Sequence, residues 1–296
     1  MPMIARARGR RNSRRALLGL TACVAALLSG CGVSMFLTVT RVPVDERLIY
    51  FLGGGGNSFA FLHDGQALVS DPKFGPGARR FHHAVEEELG RAVRRVLLTH
   101  SHGDHVNGLP LYSPQVVLVH PAARARLETA GLHGRWVEVR DELQLTLGGE
   151  KIRVLATPGG HTDGDLVALF EGRKLLVAGD LVLDRMEPVI DLKAGGSVLT
   201  LARSLDGLLA LDFERVLPGH GDPMDRAGVE HLRDYLRAAE AAARQGAASP
   251  LTDEALADSL RLPGFDDVRS TLVSSRRGTL LQVVREVRAP GRPPAL

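Results

Sequence analysis

The 296-residue sequence predicts a layered α/β fold with sheets inside and helices outside. Short apolar runs, separated by glycine-rich turns, recur from about residue 48. Stretches with apolar residues three or four positions apart alternate with these runs and predict amphipathic helices. The elements form two similar halves, and no repeat or obvious linker interrupts residues 48–245. These observations predict one domain over 48–245, followed by a helical extension over 246–296 that packs on it.

The first half contains strand patterns on either side of a helix. Phe81, Val85 and Leu89 lie four positions apart and predict an amphipathic helix that ends at Gly90. A second helix, "AARARLETAG", ends at its own glycine. The segment "GGGGNS" lacks the lysine and hydroxyl residue of a phosphate-binding loop, so we interpret it as a hairpin turn. The predicted strands are "LIYFL", "FAFLHDGQALVSD", "RVLLT" and "QVVLVH".

The second half repeats the alternation of strands and helices. "LQLTLGG" alternates apolar and polar residues, which is typical of a half-buried strand. The helix "GSVLTLARSLDGLLAL" precedes the short strand "RVLPGH", and a long helix begins near residue 225. The remaining predicted strands are "KIRVLATPGGH", "DLVALF" and "RKLLVAGD".

The N-terminus has the pattern of an export signal. Six arginines and no acid within residues 1–15 precede the apolar run "ALLGLTACVAALLSG". "SRRALLG" resembles the twin-arginine motif, and "LSGC" resembles the lipobox in which Cys31 is acylated. We therefore expect a signal peptide over 1–31, a tether over 32–47 and a lipoprotein held at a bacterial membrane outside the cytoplasm. The alternative is an uncleaved anchor, because residues 16–40 carry no charge.

Composition argues against a nucleic-acid partner. The formal net charge is +3, but without the six N-terminal arginines the remainder carries −3. The basicity therefore belongs to the signal, and no basic stripe remains to bind a polyanion. Both cysteines, Cys23 and Cys31, lie in the N-terminal segment, which leaves no thiolate to act as a metal ligand or nucleophile.

The strongest chemical signal is "LLTHSHGDHVNG", which follows the strand "RVLLT". Residues i and i+2 of an extended exit point the same way, so His100 and His102 are placed to share one ion. Asp104 and His105 lie one turn further on and face a second ion. Neutral imidazole and carboxylate are the ligands that zinc and similar ions take when thiolate is absent.

Three later fragments offer further ligands at predicted strand ends. "ATPGGHTDGD" supplies His161, "LLVAGD" supplies Asp180 and "RVLPGHGD" supplies His220. Glycine or proline flanks each one, which lets the backbone approach a crowded centre. Together with the first cluster they predict a site for two divalent ions, with zinc as first choice and iron or manganese as alternatives.

These motifs, in this order, resemble the metallo-β-lactamase fold superfamily over roughly residues 48–245. The resemblance implies a four-layer αββα sandwich and a metal-dependent hydrolase. It also implies a ligand set for two ions. The first is held by His100, His102 and His161, the second by Asp104, His105 and His220, and Asp180 bridges them.

The expected mechanism is attack by a metal-activated hydroxide on an acyl centre, with Asp104 orienting the nucleophile. By resemblance, Asp71 lies beside the site, and Thr99 and Asp163 are expected to fix imidazole tautomers. An aspartate at position 180 is more typical of thioesterase, lactonase and phosphodiesterase relatives than of β-lactamases. We therefore expect a small-molecule ester, thioester, lactone or related substrate, as in glyoxalase II-like enzymes. The alternatives are a phosphodiesterase, a β-lactamase, a mono-iron persulfide dioxygenase or a non-catalytic lipid-anchored binding protein.

Overall fold

The computed structural model describes residues 38–289, which form two facing β-sheets with helices on both outer sides. The first sheet has seven strands in chain order: β1 (Thr40–Pro43), β2 (Leu48–Leu52), β3 (Ser58–His63), β4 (Gln66–Ser70), β5 (Ala92–Leu97), β6 (Val116–Val119) and β7 (Trp136–Glu138). The second sheet has six: β8 (Glu142–Leu147), β9 (Glu150–Ala156), β10 (Leu166–Phe170), β11 (Leu175–Leu183), β12 (Arg215–His220) and β13 (Met224–Asp225).

Strand direction places the functional segments at one edge. Strands β1 to β4 are antiparallel to their neighbours, whereas β4 to β7 run parallel. In the second sheet, β11 and β12 are the parallel pair. The carboxyl ends of parallel strands meet at the same edge of a sheet, and ligands bind there in layered α/β folds.

Helices cover both outer faces. The first sheet is covered by α1 (Gly75–His82), a π-helical stretch (His83–Glu88) and α3 (Pro121–Thr129). The short α2 (Gly103–Val106) and the 3₁₀ turn Leu109–Leu111 follow β5. The second sheet is covered by α4 (Val198–Leu209), α5 (Arg226–Gly246), α6 (Asp253–Ser259) and α7 (Arg276–Arg288). Two further 3₁₀ turns are Glu171–Arg173 and Leu192–Ala194.

Alternation along the central strands divides the core into three layers. In β3, Phe59 and Phe61 point between the sheets, whereas Ala60 contacts the helices on the first sheet. In β10, Ala168 points between the sheets and Val167 contacts the outer helices of the second. Strands buried on both faces read as continuous apolar runs, which is why they lacked a clean alternation in the sequence. The αββα sandwich is therefore confirmed.

One predicted boundary changes. Residues Thr40–Pro43, expected within a tether over 32–47, pair with β2 as an edge strand, so the sheet begins before residue 48. The short strand β7 carries no clear sequence signal and was also missed. The helix predicted through Phe81, Val85 and Leu89 is present as α1 and the π-helical stretch that continues it. The predicted signal over 1–31 and the lipidation site Cys31 lie outside the described residues.

The helical extension is part of the outer layer on the second sheet. Leu256 of α6 and Leu280, Val283 and Val284 of α7 are buried against α4 and α5. Among residues 38–289, no helix combines the length and apolar composition that a bilayer crossing requires.

Candidate metal centre

Seven predicted side chains converge at the shared edge of the two sheets. They lie after β5, in α2, after β9, within β11 and at the end of β12, and they are His100, His102, Asp104, His105, His161, Asp180 and His220. They form two groups, within each of which the ligand atoms lie within 4.8 Å of one another. The first group is His100, His102, His161 and Asp180, and the second is Asp104, His105 and His220.

The Asp180 carboxylate lies between the two groups. Its Oδ2 is 3.7 Å from Nε2 of His161 and 4.0 Å from Nε2 of His100. Its Oδ1 is 3.2 Å from Nε2 of His105 and 3.6 Å from Nε2 of His220. Each carboxylate oxygen thus faces a different set of imidazoles.

Close packing of glycine against the ligands makes this convergence possible. A β-carbon on Gly219 would lie 1.9 Å from Oδ1 of Asp180, and one on Gly56 would lie 2.1 Å from the His105 ring. Neither contact is sterically allowed, so both positions need glycine. Gly56 belongs to the "GGGGNS" turn, which joins β2 to β3 as the predicted hairpin.

Hydrogen bonds from outside the centre determine the histidine tautomers. Nδ1 of His161 donates to the carbonyl of Val189 at 2.6 Å, and Nδ1 of His105 donates to Oδ2 of Asp71 at 3.0 Å. A carbonyl and a carboxylate are acceptors only, so both Nδ1 atoms carry the proton. In the neutral rings the Nε2 lone pairs therefore point into the centre.

The same reasoning applies to His100 through Thr99. The hydroxyl of Thr99 donates its only proton to Oδ2 of Asp71 at 2.7 Å, so at 3.0 Å from His100 it accepts from Nδ1. Asp71 also accepts from the Thr99 backbone amide at 2.8 Å. Asp71 is buried and adopts a left-handed backbone conformation with φ of 43°. It therefore orients two histidines, one in each group.

The fourth orienting contact was missed in the sequence. Nε2 of His102 lies 2.9 Å from Oδ2 of Asp191, which leaves Nδ1 of His102 facing the centre. Asp191 also caps the 3₁₀ turn Leu192–Ala194 by accepting from Lys193 and Ala194 amides. No local motif marks Asp191, since it lies 89 residues from His102.

Asp163, expected to fix a tautomer, has a different role. Its carboxylate is half exposed and pairs with Arg126 of α3, and its amide donates to the carbonyl of Ala194. That prediction is wrong, because the loop after β9 turns the Asp163 side chain away from the ligands. Asp165, which was not predicted, stabilises this loop by accepting from the amide and hydroxyl of Thr162.

The geometry requires a positive charge between the rings. Nδ1 of His102 and Nε2 of His161 are 2.8 Å apart, and both protons are already on the opposite nitrogens. Two facing lone pairs repel unless a metal ion lies near both or one ring takes up a second proton and donates it to the other. Within residues 38–289, Nε2 of His100 and Oδ1 of Asp180 are buried without a hydrogen-bond partner. Buried polar atoms left unpaired cost about 1–3 kcal/mol each, and coordination would satisfy them. Five imidazole nitrogens and two carboxylates therefore fit divalent ions such as zinc.

The protonation states of His100, His161, Asp104 and Asp180 suit ligation, whereas burial of His105 is outweighed by Asp180 and Asp71, which raise its pKa. Burial lowers the pKa of His100 well below its usual value and that of His161 to about 4, so both rings are neutral at pH 7. Burial opposes ionisation of Asp104, but contacts with His220 and His105 outweigh it and lower the pKa to about 2. The pKa of Asp180 is likewise lowered, because His220 and His105 outweigh its burial.

A groove of about 1050 Å³ opens beside His220. Its wall begins at Leu183, which is paired with His220 across the sheet, and at Asp184, whose amide donates to the His220 carbonyl. Its lining is predominantly acidic. The charged groups are Asp184, Asp222, Asp225, Asp266 and Asp267, against Arg185 and Arg269.

The family model of the metallo-beta-lactamase superfamily matches residues 52–220, which include all seven clustered side chains. The chain belongs to the metallo-β-lactamase superfamily. Proteins named as hydrolases are among its relatives.

Among these relatives are two bacterial enzymes named hydroxyacylglutathione hydrolase. The one from Methylococcus capsulatus is 32% identical over 80% of this chain and 91% of its own. The one from Acidiphilium cryptum is 30% identical over 77% of this chain and 89% of its own. Lactamase-like protein adaB from Aspergillus niger is 28% identical over 68% of this chain, which spans 63% of that relative's length.

Solved structures of the superfamily share the fold. The DIM-1 metallo-beta-lactamase has a TM-score of 0.58 at 19% identity and covers 68% of this chain and 98% of its own. The sec-alkylsulfatase Pisa1 from Pseudomonas has a TM-score of 0.68 at 16% identity and covers 86% of this chain and 50% of its own. At these identities the superfamily neighbours are evidence for the fold alone.

Proposed function

We propose that this chain is a two-metal hydrolase that cleaves an ester, thioester, lactone or related acyl substrate. The observation that carries the proposal is the Asp180 carboxylate, whose two oxygens face two different sets of imidazoles. A carboxylate in this position suits a pair of divalent ions held side by side. Zinc fits the ligand set best, and iron and manganese are the alternatives.

The chain's own residues define the reaction geometry. When bound, two divalent ions lower the pKa of a shared water and stabilise negative charge that develops on a substrate oxygen. Asp104 has a side chain that is 32% exposed, and its Oδ2 lies 3.2 Å from Nε2 of His220. Asp104 is thus placed to accept a hydrogen bond from an attacking water and to orient it. Its pKa of about 2 makes it a poor acceptor for the proton that the attacking water releases.

We take the groove, whose wall adjoins His220 although none of the seven ligands lines it, as the substrate entrance, which favours an uncharged or cationic substrate. Its five aspartates repel anions, which disfavours phosphodiesters and nucleic acid. The same charge disfavours glutathione thioesters, although hydroxyacylglutathione hydrolases are among the relatives. A lactone or simple ester is therefore the substrate class that we favour.

We further propose that the enzyme acts outside the cytoplasm, attached to a membrane through lipid on Cys31. The support is the sequence pattern of a basic segment, an apolar run and "LSGC". Labelled palmitate should be incorporated into the wild-type chain in a bacterial host and not into Cys31→Ala. Equal labelling of both would contradict the lipoprotein assignment.

Metal counting together with a substrate panel tests the catalytic proposal. The panel comprises chromogenic esters, lactones, thioesters, nitrocefin and bis-p-nitrophenyl phosphate. We expect two ions per chain and turnover of the neutral acyl substrates. One ion per chain, or turnover of the phosphodiester alone, would contradict the proposal.

A further inference from the structure

Lys73 is a fully buried cation outside both ligand groups. It lies between β4 and α1, and its side chain has no exposed surface. Its Nζ donates to the carbonyls of Phe51 at 2.9 Å, Gly53 at 2.7 Å and Gly56 at 2.6 Å. All three acceptors belong to the end of β2 and to residues 53–57, which we call the glycine loop.

The main chain of Lys73 is hydrogen-bonded to α2 and to the residues that follow it. Its amide donates to the carbonyl of His105 at 3.0 Å, and its carbonyl accepts from Gly108 at 2.8 Å. Its φ of 63° is in the left-handed region, which is unfavourable for a residue with a β-carbon. The surrounding hydrogen bonds hold Lys73 in this conformation and connect the glycine loop to α2.

The glycine loop contacts every member of the second ligand group or its immediate neighbours. The Gly56 amide donates to the carbonyl of Asp104 at 3.1 Å, and Gly56 packs on the His105 ring. The Asn57 amide donates to the carbonyl of Gly219 at 2.7 Å. The Asn57 side chain donates to the carbonyls on either side, those of Pro218 and Gly221. Through the hydrogen bonds of Gly56 and Asn57, the glycine loop therefore connects α2 to the segment around His220.

The histidines of the first group are oriented by other residues. They depend on Val189, Asp191 and Thr99, and none of these contacts involves the glycine loop. We infer that Lys73 is a positioning residue for the second ligand group, Asp104, His105 and His220. By holding the glycine loop it sets the affinity of that group for its ion. The inference rests on the proposed two-ion function.

The hydrogen-bond geometry matches the charged form of Lys73, although burial lowers its pKa to about 7. Three carbonyl acceptors at 2.6–2.9 Å match the three N–H bonds of an ammonium, and a neutral amine has only two. Methionine at this position would keep the length of the side chain and the same backbone requirement. Lys73→Met therefore removes the donors and the charge and little else.

The test counts zinc in the full-length holoenzyme at equilibrium with a graded series of zinc buffers. Wild type, Lys73→Met and Lys151→Met are compared, the last being an exposed lysine on β9. We expect Lys73→Met to bind its first zinc within threefold of wild type and its second at least tenfold more weakly. Lys151→Met should match wild type at both steps. In the cobalt-substituted enzyme, Lys73→Met should lose the absorption bands of the second ion alone.

The outcomes separate this inference from the proposed function. Two zinc ions in wild type, with both steps unchanged or equally weakened in Lys73→Met, would overturn the role of Lys73 alone. A single zinc in wild type would overturn the two-ion function and this inference with it. If Lys73→Met does not fold, Lys73→Gln, which retains two donors, should show the same selective weakening to a smaller extent. Equal weakening of both steps there would overturn the inference.

Discussion

The two halves of the metal centre differ in how deeply they lie and in what holds them. In the first, His100 and His161 are 1% and 0% exposed, and only His102 is open to solvent. In the second, His105 is buried, but Asp104 and His220 are 32% and 19% exposed. Oriented imidazoles deep in the fold suit tight metal binding, whereas the exposed half suits contact with substrate. The difference suggests that the halves have separate tasks.

The largest effect on activity is expected when the carboxylate that faces both ligand groups is removed. Asp180→Ala removes the carboxylate that faces both groups, so each of the two proposed ions would lose a ligand. We expect kcat/KM to fall by at least roughly 10²–10³-fold, as when charge stabilisation in the transition state is lost. Bound metal should fall below two ions per chain, measured by elemental analysis.

The control for Asp180→Ala is Asp184→Asn, four residues further along the chain and in neither ligand group. It should retain two ions. Far-ultraviolet circular dichroism should show both variants folded. Full activity of Asp180→Ala would contradict the two-ion centre.

A smaller effect, on the metal affinity of the first ligand group alone, is expected when a contact that orients one of its histidines is removed. Asp191→Ala removes the acceptor that orients His102. Loss of such an outer contact costs about 10–100-fold in metal affinity. Zinc-buffer titration should show the loss at the first group.

Asp163→Asn is the informative comparison for Asp191→Ala. The structure pairs Asp163 with Arg126, so its substitution should leave both zinc affinities within a factor of about three. Equal losses in the two variants would restore the sequence-based role of Asp163 and remove that of Asp191.

A third test separates the halves without mutation. Because Asp104 and His220 are both partly exposed in the second group, whereas His102 alone is in the first, the ion proposed for the second group should leave first as a chelator is added. We expect one cobalt absorption component to disappear at a lower chelator concentration than the other. The single substitutions His220→Ala and His161→Ala show which absorption component belongs to which ligand group. Simultaneous loss of both would contradict the difference in accessibility.

The smallest effect should come from the helical layer. Glu286 of α7 accepts from the hydroxyl of Ser197 and the amides of Val198 and Leu199, at the N-terminus of α4. Loss of a helix cap of this kind costs about 1 kcal/mol. Glu286→Ala should therefore lower the free energy of unfolding by about that amount in urea titration, with the zinc content unchanged. Loss of zinc would mean that the helical layer and the centre are coupled.

Much of the centre could be predicted from local patterns. His100, His102, Asp104 and His105 lie within six residues, and His161 and His220 are each preceded by glycine in a short motif. The structure brings all of them together with Asp180, as the order of strands requires. Asp71 and Thr99 lie among these ligands as expected, joined in a hydrogen-bonded chain to His100.

The residues that the sequence analysis misassigned or missed are mostly those whose partners are distant in the chain. Asp163 follows His161 closely and was a reasonable partner, but the turn directs it to Arg126. Asp191 reaches His102 from 89 residues away, and Lys73 reaches Phe51 from 22 residues away. No spacing rule connects such pairs. Residues Thr40–Pro43 were missed as a strand because an edge strand has a short, partly exposed pattern.

The sequence by itself therefore determined the α/β class, the order of the elements and the ligand types, because apolar periodicity and short motifs are local properties. Tertiary structure alone decided which acceptor orients each histidine, which carboxylate oxygen faces which group, and which cation holds the glycine loop. Those outcomes depend on how loops from both sheets pack within hydrogen-bonding distance, and that packing is a property of the whole fold.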